Sequence, residues 1–149
     1  MKIALGSDHA GLPLKKEIID HLHDIEVEFE DFGTFTSESC DYPDFALKVA
    51  EEVSKKNYDF GILVCGTGIG ISISANKVPG IRAALCSDTF SAHACREHND
   101  ANILALGQRV IGPGLALDIV DIFLNTKFQG GRHKRRINKI TDIESKYSK

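Results

Sequence analysis

Five short, mainly apolar runs punctuate the chain: Lys2 to Leu5, Val27 to Phe32, Asp59 to Val64, Ile81 to Cys86 and Asn102 to Leu106. Each is too short for a stable helix and is bounded by polar or glycine-containing segments, so each predicts a strand. Between them the apolar period lengthens to three or four. Leu14, Ile18 and Leu22 share one face of a predicted helix with Pro13 near its start, and Phe45, Val49 and Val53 do the same in a second, opened by Pro43. Ser87 or Asp88 can cap a third that runs toward Arg96. Gly114 to Leu124 predicts a fourth, apolar on most sides and therefore buried. Ile137, Ile140 and Ile143 mark a last helix, after the joint Phe128-Gln129-Gly130-Gly131. Such βα repeats predict an α/β protein: an open, five-stranded, mainly parallel sheet with helices on both faces. Ligands of these sheets gather beyond the carboxyl ends of the strands. Ser7-Asp8-His9 and Cys65 to Gly70 are therefore expected on one rim.

Composition narrows the picture. No internal repeat, low-complexity tract or interdomain linker divides the 149 residues, a size that suits one core; residues 1–149 read as a single domain with a C-terminal helix at about 132–146. The net charge is −3. No apolar run approaches the roughly 20 residues that span a bilayer, and Ser7-Asp8-His9 interrupts the first apolar stretch before it can act as a secretory signal. The sequence reads as a cytoplasmic protein with no membrane partner. Cys40, Cys65, Cys86 and Cys95 include no C-x-x-C pair and are too sparse for a disulfide scaffold, so they read as free thiols. Cys86 and Cys95 sit in apolar surroundings and read as small core residues.

Cys65 is different, because it opens the loop Cys65-Gly66-Thr67-Gly68-Ile69-Gly70 behind a predicted strand. Three glycines permit close backbone approach, so their N–H groups can converge on an anion, although a tight strand-to-helix turn alone needs glycine too. Converging amides favour a thiolate, which makes Cys65 a candidate base or nucleophile, with Thr67 directing a hydroxyl into the same space. Spacing excludes three rival chemistries. A tyrosine-phosphatase loop needs arginine where Ile71 stands, a thioredoxin-like site needs cysteine at Gly68, and a Walker loop needs lysine before Ser72.

Asp8 and His9 follow the first strand, where they either meet a ligand or, for Asp8, cap the helix. His98 and Asn99 lie in the polar segment Arg96-Glu97-His98-Asn99-Asp100, which is either a surface helix end or a source of an imidazole for proton shuttling. His93, Cys95 and His98 do not share a helix face, so no metal site is expected. His21 and His23 read as solvated. Arg132-His133-Lys134-Arg135-Arg136 crowds cations at a helix start, where the macrodipole disfavours them. Arg132 and Arg136 share a face and can clamp a phosphate, unless the run simply faces water; a nucleic-acid partner is not expected from so short a patch in an acidic chain. A helix leaving the carboxyl rim after the fourth strand carries His98 away from Cys65. The expected site is therefore shared between two subunits, the second bringing His98 and Asn99 to the Cys65 loop. A non-catalytic sugar-phosphate or nucleotide sensor is the competing reading.

The residues Gly6-Ser7-Asp8-His9-Ala10-Gly11, Asp41-Tyr42-Pro43, Cys65 to Gly70, Arg96 to Asn102 and Gly131-Arg132-His133 closely resemble those of type B ribose-5-phosphate isomerases, in the right order over nearly the whole chain. The resemblance implies a Rossmann-like three-layer α/β/α sandwich and interconversion of D-ribose 5-phosphate and D-ribulose 5-phosphate in the pentose phosphate pathway. It implies no metal and no organic cofactor. Carried over by position, Cys65 is the base, Thr67 and the amides of Gly66, Gly68, Ile69 and Gly70 stabilise the intermediate, and His98 opens the sugar ring. Asp8, His9 and Asn99 contact the sugar phosphate, and Arg109, Arg132 and Arg136 hold chiefly its phosphate. Arg109 enters through the resemblance alone. Some members lack the cysteine and use a glutamate at the position of Ile71; this chain resembles the cysteine subtype, and holding all the motifs in one chain implies a homodimer or homotetramer.

Overall fold

The computed structural model describes residues 1–149. In chain order the elements are β1 (Lys2–Ser7), α1 (Leu12–Asp24), β2 (Glu28–Asp31), α2 (Tyr42–Ser54), β3 (Phe60–Cys65), α3 (Ile69–Ala75), β4 (Ala83–Leu85), α4 (Thr89–Glu97), β5 (Ile103–Gly107), α5 (Pro113–Asn125) and α6 (Arg132–Tyr147). All four strand pairings are parallel, in the order β2-β1-β3-β5-β4. Every strand-to-strand connection contains a helix, as parallel pairing requires. The predicted strands are all present, but two are shorter than their apolar runs. Ile81 to Cys86 pairs only over Ala83–Leu85, and Asn76 closes the outer edge of that strand by bonding both backbone groups of Ala83, at 2.8 and 2.9 Å. Val27 to Phe32 pairs over Glu28–Asp31 at the other edge.

The side-chain period of two sorts the strands between two cores. Ile3, Leu5, Ile62, Val64, Leu104 and Leu106 pack against α1 and α5. Ala4, Leu63, Cys65, Ile103 and Ala105 turn to α2 and α3. Burial on both faces is why the runs read as continuously apolar rather than alternating; each fully buried Leu or Ile stabilises the fold by about 1.5–3 kcal/mol. Pro13, Pro43 and Pro113 all stand in first turns, where a missing N–H costs nothing. Asp88 caps α4, accepting from the Ser91 N–H at 2.6 Å, and this bond holds its carboxyl below the usual carboxylate range. His21 departs from its solvated reading: Nε2 meets Asp121 Oδ1 of α5 at 2.6 Å.

Sheet order places the crevice. The chain passes from β1 outward to β2 and then back across β1 to β3, so the connections diverge between β1 and β3. Ligand sites of open α/β sheets lie at such a point, beyond the carboxyl ends. The last helix stands outside the layers. Only His133 and Ile137 of α6 are buried, Ile140 and Ile143 are 47% and 62% exposed, and the Glu144 carboxylate accepts from the Gly80 N–H at 3.0 and 3.1 Å. No helix is long and apolar enough to cross a membrane.

Candidate active site

At the β1/β3 divergence a cleft of ≈510 Å³ opens, with Asp8 and His9 on one side and Cys65, Thr67 and Arg109 on the other. Cys65 ends β3, and the chain then turns sharply enough for the Gly68 N–H to donate to its sulfur at 3.1 Å. That turn requires a left-handed residue: Gly68 has φ +78°. The sulfur is buried yet lines the cleft, which suits a group that is accessible to a ligand and shielded from bulk water. Thr67 Oγ1 accepts from the Ile69 N–H at 3.2 Å, leaving its own proton to donate. Gly70 lets the Tyr42 ring close against the loop, since a Cβ there would lie 2.5 Å from Tyr42 Cζ.

The flanking strands hold this loop. In the turn directly after β5, Gln108 and Arg109 donate backbone N–H bonds to the Cys65 and Gly66 carbonyls at 3.0 and 2.9 Å. The Arg109 guanidinium is thereby laid over Gly66. The N-cap of α1 is Gly11, without a side-chain cap bond, so the buried Asp8, directly after β1, does not cap the helix as the sequence allowed. Its Oδ1 accepts from the Gly11 N–H at 3.0 Å, bracing the turn into α1, and the residue also lines the cleft. His9 Nδ1 accepts from the Cys40 N–H at 3.2 Å, so a neutral ring carries its proton on Nε2. Nearby, Lys15 is fully buried, with Nζ 2.6 Å from both Asp31 Oδ1 and the Thr34 carbonyl; burial pushes it below the usual lysine range.

Asp8, His9, Cys65, Gly66, Thr67, Ile69, Gly70 and Arg109 thus line one cleft, and Gly68 supports it from behind. His98, Asn99, Arg132 and Arg136 do not line it. The chain re-enters the sheet after α4 at the amino end of β5, and there Arg82 Nε, one residue before β4, donates to the Asn99 carbonyl at 2.9 Å. His98 stacks on His133 of α6 with ring centroids 4.3 Å apart, and so brings Arg132 to the same amino-terminal rim. Two guanidiniums hold the loop. Asp100, at φ +45°, receives Arg96 Nη1 at 2.9 Å and Arg82 Nη2 at 3.4 Å.

Three residues of this arrangement escaped the sequence reading as functional positions. Tyr42 and Ile73 line the cleft; Ile73 stands one turn after Ile69 on α3, a spacing that could have exposed it, whereas nothing in Asp41-Tyr42-Pro43 alone points the phenol at Gly70. His133 was visible only within the basic run and the motif Gly131-Arg132-His133, with no role of its own. Burial, foremost, then His98, Arg132 and Arg136 push its imidazole below the ordinary value, with Glu97 opposing.

The chain is similar to known proteins over nearly its whole length. The family model described as Ribose/Galactose Isomerase matches residues 3–140. The putative sugar phosphate isomerase YwlF of Bacillus subtilis is 58% identical over 98% of this chain and 99% of its own length, and ribose-5-phosphate isomerase B of Escherichia coli is 52% identical over 97% of each. The solved ribose-5-phosphate isomerase B of Clostridium thermocellum superposes with a TM-score of 0.98 at 62% identity, covering 99% of this chain and 100% of that one. The chain belongs to the ribose/galactose isomerase family.

Proposed function

We propose that this protein interconverts D-ribose 5-phosphate and D-ribulose 5-phosphate, a step of the pentose phosphate pathway, by proton transfer through a cis-enediol(ate). The Cys65 thiolate takes the C2 proton of the opened aldose while O1 gains a proton from solvent; the thiol then returns that proton, or one exchanged with solvent, to C1 as the O2–H bond breaks, its proton passes to solvent and O2 becomes the ketone oxygen, which restores the thiolate. Thr67 and the loop amides hold the oxygens on which charge develops. Asp8 and His9 orient the sugar, and Arg109 lies within reach of its phosphate end.

His98, which opens the furanose, and Asn99, which binds a hydroxyl, come from a second copy of the chain. Their position on the rim opposite Cys65 supports this, as do the exposed apolar residues of α6, which suit a subunit interface. Arg132 and Arg136 add the phosphate clamp from one subunit or the other.

The observation that carries the reading is the Cys65 sulfur, fixed by the Gly68 N–H at 3.1 Å, opening onto the cleft shared with Asp8, His9 and Arg109. The test is turnover of ribose 5-phosphate in heavy water, followed by NMR. Solvent deuterium is expected in the product at C1, and Cys65→Ala is expected to keep its fold while turnover falls by about 10²–10⁴-fold. Near-normal turnover by the purified variant rejects Cys65 as the base.

A further inference from the structure

The pair Cys86 and Cys95 has no part in the chemistry above. It lies in the core on the α1/α5 face of the sheet, whereas Cys65 belongs to the opposite one. Cys86 follows β4 directly and Cys95 sits near the end of α4. Their sulfurs are 3.9 Å apart, with the Cys86 S–H donating to Cys95 Sγ. Both thiols are free, and the two approach because the turn capped by Asp88 folds α4 back over the strand it leaves.

We propose that Cys86 and Cys95 are a reversible oxidation site, which a small hydroperoxide converts into an intramolecular disulfide, Cys95 attacking and Cys86 resolving. Two observations assign these roles. Cys95 is 7% exposed and Cys86 1%, so a molecule the size of hydrogen peroxide reaches Cys95 first. The hydrogen bond from Cys86, followed by the charge of Arg96, holds the Cys95 thiol below the ordinary range despite its burial, while the same bond and burial push Cys86 up. A thiolate is the attacking species, and a neighbouring thiol that captures the sulfenic acid makes the oxidation reversible.

The chemistry balances. The Cys95 thiolate attacks one peroxide oxygen, the O–O bond breaks, and hydroxide leaves as Cys95 becomes a sulfenic acid. Cys86 sulfur then attacks Cys95 sulfur; the S–S bond forms, the S–O bond breaks, and the sulfenic oxygen departs as water with the Cys86 proton. Two thiols and one peroxide give one disulfide and two waters. The sulfurs need only close from 3.9 Å to the bond length of about 2.05 Å, a shift that draws α4 against the end of β4.

The sequence provides a direct readout. Trypsin releases both cysteines on one fragment, Ala83–Arg96, while Cys65 lies on Asn57–Lys77 and Cys40 on Glu17–Lys48. Reduced, folded, full-length protein is treated with hydrogen peroxide, alkylated, digested and weighed. The expected result is an Ala83–Arg96 fragment lighter by two hydrogens and refractory to alkylation, which becomes doubly alkylated after dithiothreitol. With Cys86→Ala, the fragment is expected to gain oxygen atoms at Cys95 instead. The proposal is overturned if Ala83–Arg96 stays a dithiol under conditions that oxidise Cys40 or Cys65, or if the wild-type fragment gains oxygens without losing hydrogens.

Discussion

At Gly68 one backbone angle decides whether Cys65 has a donor. A β-carbon there would meet the carbonyl carbon of Leu106 at 2.9 Å and Leu85 Cδ1 at 2.5 Å, at a φ of +78°. The leucine side chain can move aside, but the β5 backbone cannot. Gly68→Ala is therefore expected to cost roughly 1–3 kcal/mol of stability, read by urea unfolding, and to lower kcat because the N–H no longer aims at the sulfur. Unchanged stability together with unchanged kcat would show that the turn tolerates another path. The sequence shows that glycines crowd beside a cysteine; it does not show that the middle one bonds the sulfur, because that depends on how β5 packs behind the loop.

Among the elements, α6 is the least secured, and its anchor is titratable. His133 is buried against His98, and its imidazole is held below the ordinary value by burial, His98, Arg132 and Arg136, in that order, with Glu97 as the one opposing charge. A base held low when docked favours its neutral form there, so the docked state loses ground as pH falls through the ordinary imidazole value of about 6.5 and keeps its full advantage above it. Amide exchange in α6, corrected for intrinsic rates, is expected to be faster at about pH 5 than at about pH 7.5. His133→Phe keeps a stacking ring and should flatten that dependence. Equal protection of the wild type at both pH values would rule the imidazole out as the sensor. The apolar spacing of Ile137, Ile140 and Ile143 predicts this helix correctly. Only packing reveals that the first of the three is buried and the others are left exposed.

On the scale of the whole molecule, the two motif groups occupy opposite ends of the sheet, and this yields a test that one chain cannot pass alone. Cys65→Ala and His98→Asn, each inactive by itself, are expected to recover activity when unfolded together and refolded as a mixture. Half the dimers then hold one intact site of two, so an equal mixture should reach about a quarter of wild-type turnover. No recovery, with dimers present, would mean that each chain serves its own site. Sequence alone determined the alternation of strands and helices, the five-stranded α/β class, the place of Cys65 and its glycine loop at a strand end, and the separation of His98 from it. These follow from local periodicity and chain direction, which neighbours in sequence dictate. Tertiary structure alone decided that β5 inserts between β3 and β4, that Tyr42 walls the cleft, that His133 stacks on His98 and that Cys86 faces Cys95. Each of these joins residues from different elements, and no local pattern encodes a distance that only packing sets.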